Sequence, residues 1–101
     1  MNKLVGTWRK TATGYDAYDF LQGEAYLIPP LAAFLEKRFG LLPSRLLVSP
    51  VGDIDLDYEH FTVSGEYDGW GWLMLIATSQ IGHLLLHEIA AEVERFLNDL
   101  E

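Results

Sequence analysis

The clearest pattern in the chain is FTVSGEYDGWGWLMLIA, Phe61 to Ala77, where two alternating runs flank Asp68-Gly69. Alternation of apolar and polar positions marks half-buried strands, and an Asp-Gly pair between them predicts a two-residue hairpin turn with positive φ at both positions. That turn sets a register. It places Gly65 opposite Trp72, Val63 opposite Met74 and Phe61 opposite Ile76 on the face expected to be the core, with Trp72 covering the bare backbone of Gly65.

Upstream, DIDLDYEHF alternates acid and apolar residue and then slips. Asp53, Asp55, Asp57 and Glu59 share one side of an extended chain, Ile54, Leu56 and Tyr58 the other, yet from Phe61 the apolar role passes to odd positions. A single uninterrupted strand would turn four carboxylates toward the core, at several kcal/mol of desolvation each. A bulge or tight bend near Glu59-His60 removes the conflict, because a shift of one residue flips every side chain. The expectation is that Ile54, Leu56 and Tyr58 point inward and the acids to water.

Helical spacing governs the rest. Ala17, Phe20, Leu21, Ala25 and Ile28 predict a helix over about 16–28 with Asp16 as N-cap. Pro29-Pro30 interrupts it, and a second helix over about 30–39 carries Leu31, Phe34, Leu35 and Phe39 before stopping at Gly40. Thr78-Ser79 opens a long helix over about 79–99, with Ile81, Leu85, Ile89, Val93, Phe96, Leu97 and Leu100 as its apolar stripe. His83, His87, Glu94 and Asn98 fall on the other side. Short strands are expected near the N-terminus and at RLLV, 45–48. The sum is an α+β fold in two layers: an antiparallel sheet of about three to four strands around the 61–77 hairpin, with the helices on one face.

Composition narrows the setting. A chain of 101 residues, half of them hydrophobic, makes a single domain over 1–101 with a core of its own. No cysteine is present, which excludes disulfide staples and thiolate chemistry and fits a reducing compartment. The N-terminus lacks the apolar run of a signal peptide and no segment is long enough to span a membrane, so a soluble cytoplasmic protein is expected.

Charge changes the picture more. The net charge is −8, but no Lys or Arg occurs from Leu46 to Glu94, a span that holds nine acids. Residues 1–45 carry six basic residues against four acids. So polarised a field repels nucleic acid and anionic lipid and steers basic partners inward, although acidic surface also serves solubility alone.

Candidate chemistry is sparse. His83 and His87 are spaced to grip one metal ion from a helix face, but no third ligand lies in reach along the sequence, and HEIAAE has alanine where a zinc-protease motif has its second histidine. The two are therefore read as solvent-facing, and no cofactor is expected. Asp53, Asp55 and Asp57 have the first spacings of a calcium loop, but Tyr58 replaces its turn glycine and Ser64 its bidentate glutamate. No serine lies in a nucleophile elbow and no glycine-rich loop matches a phosphate cradle. Tyr67 and Trp70, beside the Asp68-Gly69 tip and Glu66, are residue types enriched at interface hot spots.

These readings converge on a binding protein without catalytic activity, of the immunity-protein or phage anti-defence type, docking on a basic protein partner through Asp53, Asp55, Asp57, Glu59, Glu66, Tyr67, Asp68 and Trp70. Direct contact with nucleic acid or membrane is not expected, while a homodimer seam at the same tip is an alternative. The rival classes are a chaperone-like dimeric adaptor and a small metal-dependent enzyme built on His83 and His87.

Overall fold

The computed structural model describes residues 4–21, 23, 25–66 and 72–100. Its fold is α+β. Strands β1 (Gly6–Lys10), β2 (Asp16–Phe20), β3 (Arg45–Val48), β4 (Ile54–Asp57), β5 (Phe61–Gly65) and β6 (Leu73–Ala77) form one sheet in the order β1-β2-β6-β5-β4-β3, every neighbouring pair antiparallel. Helix α1 (Ile28–Phe39), entered through a short 3-10 turn at Ala25–Leu27, carries the chain from β2 to the far edge. The chain returns strand by strand until β6 pairs with β2, and α2 (Gln80–Asp99) follows. Among the described residues no helix is long and apolar enough to cross a membrane.

Six strands, where about three to four were expected, follow from two corrections. Residues 16–20 are not the start of a helix over 16–28 but strand β2, paired on both sides with Tyr18 and Phe20 buried. Over five residues the apolar spacing fits either period, and pairing with both β1 and β6 decides for the strand. The phase slip at Glu59-His60 is the second correction. The bend expected there is a complete reversal, with Tyr58 N–H donating to Phe61 O at 2.8 Å and β4 and β5 lying antiparallel. No described non-glycine residue has positive φ, so this turn needs no left-handed backbone. Leu56 and Tyr58 do point inward, both buried.

The β5–β6 register also differs. Val63 lies opposite Leu75 and Gly65 opposite Leu73, one position on from the pairing that a two-residue Asp68-Gly69 turn requires. Leu73, Leu75 and Ala77 therefore join the core in place of Met74 and Ile76, and Trp72 is 39% exposed. What covers Gly65 is Ala25 and Ile28: an added Cβ would stand 2.8 Å from Ile28 Cδ1 and 2.9 Å from Ala25 Cα.

The helices match their expected ends better. Gly40 closes α1 at φ 70° in the left-handed region, and the prolines sit in its first turn with Ile28 already helical. Ser79 caps α2, its hydroxyl accepting from Gly82 N–H at 3.1 Å. The buried stripe of α2 is Leu86, Ile89, Ala90, Val93 and Leu97, while Ile81 and Leu100, expected in the stripe, are exposed. The core cluster joins these to Leu31 and Leu35 of α1 and to Phe20, Leu56, Phe61, Val63, Leu73 and Leu75 of the sheet. Phe34 stacks on Phe96 between the helices at 4.3 Å.

The β4–β5 reversal is locked against the start of α2. His60 O accepts from Thr78 N–H at 2.9 Å, and His60 Nδ1 lies 3.0 Å from Ser79 Oγ. Gly82 makes that approach feasible: a Cβ there would overlap the His60 carbonyl oxygen, a backbone atom that cannot swing aside. Gly82→Ala should therefore destabilise the fold by about 1–3 kcal/mol despite its better helix propensity, seen as a lower denaturation midpoint.

Burial pushes the phenols of Tyr18 and Tyr58 up to about 12, helped by Glu94 at Tyr18 and by Glu36 at Tyr58. The neutral form is favoured in the folded state, so this stability is fully present below the ordinary value of 10. It is lost as pH rises from there through about 12. Phenolate absorbance should show at least two of the five tyrosines titrating late, and denaturant stability should fall over the same window. Tyr58→Phe should remove part of that fall.

Candidate functional site

Beta alternation gives the sheet two faces, and the one opposite the core positions carries the acids. Asp55 stands opposite Ser64 and Asp57 opposite Thr62. Both carboxylates accept from those hydroxyls, at 2.6 Å from Ser64 Oγ and 3.1 Å from Thr62 Oγ1. The shorter has the length of a charge-assisted bond. Arg45 on the edge strand comes within 3.7 Å of Asp57. Asp53 sits at the β3–β4 connection, its N–H donating to Ser49 Oγ at 3.1 Å, and the Glu59 side chain is 88% exposed at the β4–β5 reversal. Asp55 and Asp57 are thus half-buried and fixed, not simply projected into water.

Across the same face, Arg9 of β1 pairs with Asp19 of β2 at 2.6 Å. Asp19 is the one buried charged residue among those described. Its partnership raises the Arg9 guanidinium above its ordinary value. At one end of this face Glu66 donates its N–H to Trp72 O, and Trp72 directly precedes Leu73, which pairs with Phe20, the neighbour of Leu21. Trp72, Leu21 and, beyond Gly6, Val5 leave 39%, 55% and 62% of their surface exposed. Tyr67, Asp68 and Trp70 lie outside the described residues, so the aromatic tip is represented by Trp72, which the sequence had assigned to the core.

The polar stripe of α2 was expected to face solvent; instead it fastens β1 and β2. Asn98 exchanges two bonds with the Leu4 backbone, at 2.7 and 2.9 Å. Glu94 Oε1 accepts from Gly6 N–H at 2.6 Å and from the Tyr18 hydroxyl at 2.9 Å. His83 Nδ1 accepts from Asp16 N–H at 3.0 Å, and His87 Nε2 meets Asp16 Oδ2 at 2.8 Å. The Trp8 indole stacks on the His87 ring at 3.7 Å. The hydrogen bond from His87 is the main reason the Asp16 carboxyl lies below its ordinary value, aided by Lys10 against some desolvation.

The third donor that the histidines lacked in the sequence is thus Asp16. One donor atom from each of Asp16, His83 and His87 lies within 4.8 Å of the others. No local spacing links residue 16 to residue 87; recognising Asp16 as the exit of a β1–β2 hairpin is the signal that would have found it. That hairpin is visible in the structure through Thr11 N–H and Oγ1, which both donate to Tyr15 O, with Gly14 at φ 90°.

Replacing Glu94 with alanine should leave Gly6 N–H and the Tyr18 hydroxyl without their acceptor, at about 1–3 kcal/mol. Hydrogen exchange should quicken at Leu4 and Gly6 first, with the Val63 and Leu75 amides, in the central strands, retaining more of their protection.

No protein-family model, curated protein or solved structure matches this chain, so the geometry of its own residues carries the functional reading.

Proposed function

We propose that the protein is a non-catalytic inhibitor that docks its acid-bearing sheet face on a basic surface of a partner protein and blocks it. The observation that carries this reading is the array of Asp53, Asp55, Asp57 and Glu59 on and beside β4, with Asp55 and Asp57 oriented by Ser64 and Thr62. In this reading both helices pack on the apolar face, which leaves the acidic face to the partner. Carboxylates held by neighbours lose little side-chain freedom on binding, and a one-signed array accelerates encounter with a cationic surface.

Trp72, Leu21 and Val5, with Glu66 beside them, supply the apolar anchor at one end of the array. A groove that handles nucleic acid has the complementary charge, and occupying it would inhibit a nuclease or effector by exclusion. Immunity proteins and phage anti-defence proteins work in this manner; the likeness is of type. The cytoplasm is the compartment in which such a partner would be met.

Capture from the native host, using the immobilised chain beside an Asp55→Lys/Asp57→Lys variant, tests the proposal. The expected partner has a basic face, its association rate with the native chain falls steeply as salt rises, and the variant associates at least about tenfold more slowly. Association indifferent to salt and to both reversals would overturn the mechanism. Capture of a second copy of the chain alone would favour the dimeric-adaptor reading, which the exposed Leu46, Leu47 and Val48 of edge strand β3 recommend.

A further inference from the structure

We infer that Asp16, His83 and His87 form a binding site for a single divalent metal ion of the zinc type. Two imidazoles and one carboxylate are the donor set that zinc and its neighbours in the first transition row accept, with water completing the shell. The three come from two elements far apart in the chain: Asp16 from the first position of β2, the histidines from successive turns of α2. The site therefore exists only in the folded chain. His87 Nε2 and Asp16 Oδ2 are 2.8 Å apart, and His83 Nδ1 lies 4.0 Å from the same oxygen, a spread that a small shift of side chains converts to bonds of about 2.0–2.2 Å around one ion.

The surroundings suit a ligand set. Trp8 stacks on the His87 ring and fixes its plane. Lys10 Nζ approaches the other Asp16 oxygen, Oδ1, at 3.7 Å, which favours coordination through Oδ2 alone. The side chains of Asp16 and His83 are 19% and 22% exposed and that of His87 41%, so an ion can enter from solvent and keep its water. Two features oppose binding. Coordination through His83 Nδ1 displaces the bond from Asp16 N–H, and the Lys10 ammonium repels a dication. Affinity should accordingly be moderate and should rise when Lys10 is neutralised.

Titration calorimetry of the full chain with zinc chloride tests the site. One ion per chain should bind with Kd in the micromolar range, about tenfold or more weaker in His87→Ala and in Asp16→Asn, and severalfold tighter in Lys10→Met. Nickel should compete with zinc and quench indole fluorescence, with most of that quenching lost in Trp8→Phe while zinc still binds. Because Lys10→Met removes no ligand, its direction of change separates coordination from a loss of folding. Absence of saturable zinc binding by the native chain would overturn the inference, as would binding unchanged by His87→Ala and Asp16→Asn.

Discussion

Keeping the carboxylates of β4 out of the core is the constraint that sets the sheet's two faces. Burying Asp55 and Asp57 without partners would cost several kcal/mol each, more than a domain of this size can lose. The chain meets the constraint by reversing at Glu59-His60, so that Ile54, Leu56 and Tyr58 share a face with Phe61, Val63 and Gly65 while the acids meet Thr62 and Ser64. The other elements adjust to that reversal. β6 enters with Leu73 and Leu75 on the core side, and α2 crosses close enough to the turn that residue 82 can carry no Cβ.

Local signals alone account for much of this. The hydrophobic periods of α1 and α2, the caps at Ser79 and Gly40, the RLLV strand and the inward set of β4 are all legible, because each depends on residues a few positions apart. Illegible were the features decided by distant partners. Asp16–Phe20 has apolar spacing that suits either period, and its place between β1 and β6 settles it. The Asp68-Gly69 turn lies outside the described residues, but the β5–β6 register stands one position from the one that a two-residue turn sets, and Gly65 receives Ala25 and Ile28, residues that a hairpin rule does not consider.

The polar stripe of α2 illustrates the same limit with the opposite sign. His83, His87, Glu94 and Asn98 look like a solvated face, since polar residues opposite an apolar stripe usually are. Here an edge strand lies against them. β1 is bonded through the sheet on one side only, and Leu4 and Gly6 find their further partners in Asn98 and Glu94. Those bonds bring Trp8 onto His87 and hold Asp16 against both histidines. A stripe that first reads as inert surface is thus a structural clamp at one end and a set of metal-type donors at the other.

The two candidate sites use carboxylates in different ways. Asp19 is matched by Arg9 and Asp16 by His87 and Lys10, so neither presents a free charge to a macromolecule. Asp55 and Asp57 are held by hydroxyls, which orient an anion without neutralising it. Among the described residues only Arg45 offsets that pair, at 3.7 Å from Asp57 and from a side chain that is 64% exposed, where ion pairs are worth little. A partner's guanidinium could replace Arg45 there at small cost, whereas at Asp19 it would have to displace a contact made within a buried setting. In the proposed docking reading, the distinction between oriented and neutralised acids is what favours β4 and β5, and not acidity in general, as the recognition surface.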